Sequence, residues 1–361
     1  MTLIITDADV TRLFSMRDCV EAMRVAFADF SDHVAVNRPR MRYLARHPDP
    51  ECRYMANVHV GAVPSSGVAV VRAGSQIMRP ASATNQRRTY ENPKGFNWGV
   101  VILYSIETAE PLAFMHEFAL SGMRVGATTG LAVDLLTPPN AGTLGLFGTG
   151  KQARSALEAI ETVRPIRRVN VFSPNVEHRD NFALDMAHQG LEVVAVDSPK
   201  KVVRDADVIC CATNAMGPVF DGDWLENGQF VISIANSDVT NKRSEVDQRV
   251  YERATGIIVN DWESVVDNDQ SELLDPIAAG VIERAQVHEL GDIVTGRAKL
   301  MHDPLHVTYF KNNSGLAIQF AAAGGIIYKK ALAEGVCRSI PTEWLGSDLS
   351  AYYEAGFRPS P

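Results

Sequence analysis

The stretch from Gly142 to Ile160, GTLGLFGTGKQARSALEAI, meets two templates for holding phosphate. Counted from Gly145 it follows GxxxxGK[ST] in all but the last residue. That residue would carry the hydroxyl that binds Mg²⁺, and Gln152 stands there instead. Counted from Gly148 it reads GxGxxA, a dinucleotide-binding turn. Gly148 makes the tight turn, and Gly150 lets backbone approach a pyrophosphate seated on a helix N-terminus. Ala153 lets that helix pack closely on its strand. Thr149, Lys151 and Gln152 complete the turn and open the helix. The second template agrees with its surroundings, because TLGLFG reads as a strand and Lys151 to Val163 as a helix.

A second strand, RVNVFS, runs into VFSPNVEHR from Val171 to Arg179. An NAD site places Asp or Glu there to hold the adenosine ribose, and none stands at Ser173, Pro174 or Asn175. Ser173, Asn175 and Arg179 suit a 2′-phosphate, so NADP(H) is expected in preference to NAD(H). No metal site is expected: CxxC and HExxH spacings are missing, and the nine histidines form no ligand pair. His59 and His116 read as structural residues. The five cysteines have scattered spacing and no disulfide pattern. A net charge of −8 lacks the basic face of a nucleic-acid binder. No signal-peptide pattern opens the chain, and no uncharged apolar run reaches the ~18 residues of a membrane span. A cytoplasmic location is expected.

Such a site needs a sheet to carry it, and the apolar spacing supplies one. From Thr143 onward TLGLFG, RVNVFS, LEVVAV, DVICCAT, FVISIA and GIIVND read as six strands with helical segments between them, one from about Arg179 to Gln189. The fold class is therefore α/β, with a doubly wound parallel sheet. Residues 1–129 form a different block. Two helices come first, the longer with Ser15 or Asp18 near its cap, and then the strand-like pieces RMRYLA, RYMANVHVG, GVAVVRAG and GVVILYS. Met78 to Asn97 reads as a long loop. SGLAIQFAAAGGIIYKKALAEG reads as an apolar helix packed on another domain or subunit, and the tail from Cys337 as surface-docked.

Three segments together resemble the ornithine cyclodeaminase/mu-crystallin family: GMRVGATTGLAVDLLTPPNAGTLGLFGTGKQA, DADVICCATNAMGPVFDGDWLENGQFVISIANSDVTNKRSEVD, and ELGDIVTGR followed by YFKNNSGLAIQFAAA. The resemblance covers most of the chain. It implies a homodimer with two domains. Residues 1–129, completed by 316–361, would hold the substrate and the dimer interface; residues 130–315 would form the Rossmann domain. It implies that Arg40, with Arg38 and Arg42 as rivals, and Arg124 grip a substrate carboxylate. The catalytic aspartate would be Asp238, with Lys242 near the nicotinamide. Thr213, Asn214 and Asn97 would lie along the cofactor. Two positions depart from the family pattern. The usual strand lysine aligns with Ala69; Arg72, three residues on, is the candidate to replace it at the substrate, though on a regular strand it faces the other way and would need a bulge or a one-residue slip. The usual aspartate near the C-terminal helix is replaced by Phe320.

The resemblance implies hydride movement between nicotinamide and Cα of a small amino or imino acid. Planar guanidinium groups hold a carboxylate bidentately, and Asp238 could move a proton at the substrate nitrogen. Reduction of a ketimine or cyclic imine, with amino-acid oxidation as its reverse, is the first expectation. Redox-neutral cyclodeamination is the second, and non-enzymatic NADPH-dependent binding of a small molecule the third. No nucleic-acid or membrane partner is expected.

Overall fold

The computed structural model describes residues 1–81, 89–237, 241–300, 302–312 and 315–350, and it is built on two sheets. The first sheet holds β1 (Thr2–Ile5), β2 (Val36–Asn37), β3 (Met41–Arg46), β4 (Arg53–Val63), β5 (Val68–Arg79), β6 (Thr89–Glu91), β7 (Trp98–Ser105) and β8 (Pro111–His116). Thr6 and Ser15 open α1 (Asp7–Leu13) and α2 (Met16–Ser31) with capping boxes that use Asp9 and Asp18. Both residues expected at the second cap therefore take part in it. β4, β5 and β7 pair antiparallel in continuous register across the middle of the sheet. Side chains alternate between faces. Val63, Val68, Val70, Val101 and Leu103 are buried on the inner face, while Val58, Val60, Ala69, Val71 and Ile102 line a partly exposed outer face.

The unbroken helix α3 (Phe118–Leu136) leads to the second sheet: β9 (Thr143–Phe147), β10 (Arg168–Phe172), β11 (Glu192–Ala195), β12 (Val208–Cys211), β13 (Phe230–Ser233), β14 (Ala254–Val259), β15 (Val287–Glu289) and β16 (Val307–Lys311). Its order is β11-β10-β9-β12-β13-β16-β14-β15, and every pair is parallel. The crossovers include α4 (Lys151–Val163), α5 (Val176–Met186), α6 (Pro199–Val203), α7 (Gln248–Arg253), α8 (Trp262–Asp267), α9 (Ser271–Ala278) and α10 (Leu290–Val294). The chain then returns to the first sheet. There α11 (Ala317–Glu334) lies against β4, β5, α2 and α3, and β17 (Arg338–Ile340) pairs with β1.

Several expectations are corrected. The parallel sheet has eight strands rather than six, because β15 is short and because VTYFK, five buried residues, slots between β13 and β14. Met78 to Asn97 is not all loop. Met78 pairs with Tyr90, and Arg79 bonds Glu91, so β5 continues into a hairpin with β6; residues 82–88 lie outside the described residues. The second crossover helix starts at Val176 rather than Arg179, because Asn175 caps it. Residue 129 falls inside α3, so the expected division passes through a helix rather than a linker. The tail from Cys337 contributes an edge strand.

Candidate active site

The parallel order reverses between β9 and β12, and the turn after β9 sits at that switch point. Gly148 has φ +99°, and a Cβ there would collide with the Ala212 carbonyl at the end of β12. Only glycine meets both conditions. Gly150 differs: its φ is −82°, and a Cβ would meet no atom within 4 Å. The α4 N-terminus has no side-chain cap, so its first amides face open space. A cleft of about 670 Å³ lies there, lined by Gly148, Thr149, Gly150, Lys151, Gln152, Ser173, Pro174, His178, Thr213 and Asn214 among others. Gln152 Oε1 is buried with no hydrogen-bond partner among the described residues. A cradle that a Cβ would fill, bare helix amides and an orphaned acceptor fit the pyrophosphate and amide groups of a dinucleotide. Ala153 is buried against the sheet.

The adenosine end of this cleft is partly accounted for by local structure. The Asn175 side chain accepts from the His178 amide at 3.0 Å, so it caps α5. Arg179 lies over the Phe172 ring at 5.7 Å and donates to the Ser173 carbonyl at 3.4 Å. No carboxylate lines the cleft among the described residues. Lys151 lines the cleft, and its ammonium donates to the Phe118 carbonyl and sits over the Phe118 ring.

Beside the helix that opens the cleft, α3 presses on α4 through Gly122, Gly126 and Gly130. A Cβ at Gly126 would collide with the Ser155 carbonyl. This close approach carries Arg124, on α3, to the junction of the two sheets. Arg124 is buried and donates to Gln319 of α11 at 2.8 Å, while its Nε has no partner among the described residues. Burial and the nearby Arg72 charge push its guanidinium down to about 9. Both guanidiniums lie over the buried ring of Phe320, Arg124 at 5.0 Å and Arg72 at 5.8 Å. The β4–β5 pairing has no bulge, so Ala69 and Arg72 do face opposite ways. The Arg72 face is the inner one, which turns Arg72 to the site and Ala69 to the outside. Arg72 pairs with Glu117 at 2.8 Å and lies 3.3 Å from His59 Nδ1. Asn97 donates to Glu117 at 3.2 Å, so it meets this cluster rather than the cleft. Arg40 is half-buried and Arg38 exposed. Arg42 donates to Asn57 at 2.7 Å. Burial and the charges of Arg72, Arg124, Arg40 and Arg42 hold the His59 imidazole well below its ordinary pKa. His59, read from sequence as structural, stands in the middle of the cationic group.

Asp238 lies outside the described residues, but the base of its loop is described. Glu245 accepts from the amides of Thr213, Ile234 and Ala235 and from the Thr213 hydroxyl, tying the ends of β12 and β13 together. Glu272 accepts from the Glu245 and Val246 amides and pairs with Lys311 at the end of β16. The Lys311 and Glu272 side chains are 0% and 1% exposed. Arg243 donates to the Thr213 and Ala215 carbonyls. Lys242 is placed elsewhere: it pairs with Asp275 at 3.5 Å in a separate cleft of about 410 Å³. The Ser237 hydroxyl donates to the Arg243 carbonyl and accepts from the Arg243 amide. Sequence reasoning missed His59, Glu117, His178, Arg243, Glu245, Glu272 and Lys311. None carries a local motif, and Lys311 lies on β16, a strand the sequence reading did not include.

Residues 1–335 match the model of the ornithine cyclodeaminase/mu-crystallin family. Δ(1)-pyrroline-2-carboxylate reductase of Bacillus cereus is 27% identical over 340 residues, covering 94% of this chain and 99% of that protein. The structure of Thermococcus litoralis Δ(1)-pyrroline-2-carboxylate reductase in complex with NADH and L-proline superposes with a TM-score of 0.80 at 26% identity, covering 94% of this chain and 100% of that one. An archaeal alanine dehydrogenase dimer with bound NAD shares the fold, with a TM-score of 0.79 at 24% identity and coverage of 94% and 99%. Among the described residues no group of His, Cys, Asp and Glu could hold a metal, and no helix is long and apolar enough to cross a membrane.

Proposed function

The chain belongs to the ornithine cyclodeaminase/mu-crystallin family, and on that footing we propose that this NAD(P)-dependent oxidoreductase reduces a small α-imino acid held by Arg72 and Arg124. The observation that carries this reading is Arg124: a buried guanidinium whose Nε has no partner among the described residues, with a second guanidinium, Arg72, over the same Phe320 ring. A buried cation short of an anion is costly, and a substrate carboxylate meets the need. The ring offers an apolar surface to the body of the substrate. The cofactor, when bound, supplies or accepts the hydride. The residues do the rest: the α4 amides and Gly150 seat the pyrophosphate, the arginines orient the carboxylate, and Asp238 moves a proton at the substrate nitrogen. Phe320 stands where the family usually has an aspartate, so a second ammonium on the substrate meets no carboxylate there. This favours an imino or monoamino acid over a diamino acid.

NADP(H) is preferred in this reading, supported by the absence of a carboxylate among the described residues lining the cleft and by Arg179 beside Ser173. Residues 1–129 with 316–361 form the substrate and dimerisation lobe, and 130–315 the cofactor lobe, with α3 shared. The outer face of the first sheet supports a homodimer, since Met41, Tyr43, Val60 and Trp98 leave apolar surface exposed there.

The test is absorbance at the reduced-nicotinamide band, with NADPH or NADH and a panel of cyclic imino acids and of 2-keto acids with ammonia or small amines. Consumption is expected, faster with NADPH. Tight cofactor binding without consumption refutes the reductase. Ammonia release from ornithine or lysine would then identify a cyclodeaminase, and no turnover of any kind a binding protein.

A further inference from the structure

We propose that His59 is a fixed, uncharged hydrogen-bond donor to the carboxylate of the substrate, a role that rests on the reading of this site as a carboxylate grip. The β4–β5 register sets His59 directly opposite Arg72, and Arg72 Nη1 lies 3.3 Å from His59 Nδ1. A guanidinium has only donors to offer, so Nδ1 must accept. The hydrogen of a neutral ring is then on Nε2. That nitrogen is buried, in a residue 3% exposed, and has no hydrogen-bond partner among the described residues. A buried donor without an acceptor is costly, no described residue supplies one, and a substrate carboxylate oxygen meets the need. The ring centroid is 6.0 Å from that of Phe320, the same ring that Arg72 and Arg124 cover. Glu117, a buried carboxylate at this site, is already engaged by Arg72 and Asn97. The segment entering α11 passes Nε2 at Gly315, where φ is +121° and a Cβ would lie only 3.2 Å from that nitrogen. Glycine there keeps the approach to Nε2 clear.

The groups facing the imidazole are Arg72, Arg124, Arg40 and Arg42, and their charges together with burial keep it neutral. A neutral imidazole does not hand over its last proton near neutral pH, so His59 binds and orients; proton transfer at nitrogen is left to Asp238. The arrangement also selects. An N–H with no lone pair facing the ligand donates to a carboxylate oxygen and offers no acceptor to a substrate ammonium.

The experiment uses NADH-loaded protein labelled with ¹⁵N-histidine. The His59 signal, identified by its loss in His59→Gln, should report a protonated Nε2 and a bare Nδ1. It should move on adding L-proline or acetate and stay still on adding pyrrolidine, which has no carboxylate. The Nδ1-protonated tautomer, an unmoved signal with both carboxylates, or an equal shift with pyrrolidine would each overturn the proposal. In kinetics with a cyclic imino acid, His59→Phe should raise KM by about tenfold or more with little change in kcat, in the limbs of the pH profile or in NADH affinity. His59→Gln, which keeps an N–H near the same place, should recover most of that loss. Wild-type KM in both variants overturns the contact. A carboxylate-dependent shift in a wild-type protein that turns over no imino acid would leave the contact standing and sink the reductase reading instead.

Discussion

Replacing Gly150 by valine separates what the cofactor needs from what the fold needs. The backbone at Gly150 is ordinary extended chain, φ −82° and ψ −173°, and its absent Cβ faces no protein atom within 4 Å. Loss of a fair N-cap residue and gain from a stiffer unfolded chain offset each other, leaving a change within about 1 kcal/mol. For a chain of this length that is a melting shift of roughly 2–4 °C or less. The valine methyls would instead occupy the space in front of the α4 amides. Displacing a pyrophosphate from two of these charge-assisted bonds costs about 1.5–3 kcal/mol each. The sum, about 3–6 kcal/mol, is a loss of roughly 10²–10⁴-fold in affinity. Gly148→Ala is the contrast. Its φ of +99° and the clash with the Ala212 carbonyl make it destabilise the apo protein as well. The assay pairs thermal melts of the apo variants with titration of NADH and NADPH. Gly150→Val protein that binds either cofactor within threefold of wild type would refute the cradle. A fall of more than about 5 °C in its apo melting temperature would show that the fold itself relies on the glycine.

Arg124→Met should raise KM for a carboxylate substrate by about 10²-fold, leave NADH affinity unchanged, and affect a carboxamide analogue far less; equal loss with both substrates would assign Arg124 to cofactor positioning. Lys311→Met leaves the Glu272 charge buried at the end of β13 and should cost about 3–5 kcal/mol in urea melts. A cost below about 1 kcal/mol would mean that water reaches the pair. The His59 ring resists protonation in the fold but takes a proton at about its ordinary pKa of 6.5 once unfolded. The unfolded state then binds more protons below that pH, so stability contributed by this group is lost as pH falls through it. His59→Gln should remove that part of the slope, and identical slopes would place the ring in contact with solvent. Asp238→Asn should lower turnover by ~10²-fold while cofactor still binds; a wild-type rate would remove Asp238 from the mechanism.

What could be read in the sequence was what neighbouring residues decide. GTLGLFGTGKQA states its turn, its helix start and its close packing within twelve positions. The helix start and the turn conformation depend on backbone a few bonds away, although Gly148 is also required by the Ala212 carbonyl across the sheet. The capping boxes at Thr6 and Ser15 and the apolar strands of the parallel sheet are local in the same sense. The substrate site is not local. Arg72 and Ala69 were set on opposite faces by strand period alone, but which face is the inside depended on where α11 lies. Lys311, Glu272 and Glu245 come from distant segments, and β16 had to insert beside β13 before they could meet. His59 looked inert because a lone histidine on an apolar strand carries no spacing signal. Sheet register put Arg72 on one ring nitrogen and left the other without a partner. Sequence by itself thus determined the dinucleotide-type turn, whose groups sit at a turn or the end of a strand, while Asn97 and Lys242 lie elsewhere. Tertiary structure decided the grip on the substrate, because charges far apart in the chain act on one another only when packing brings them together and excludes water.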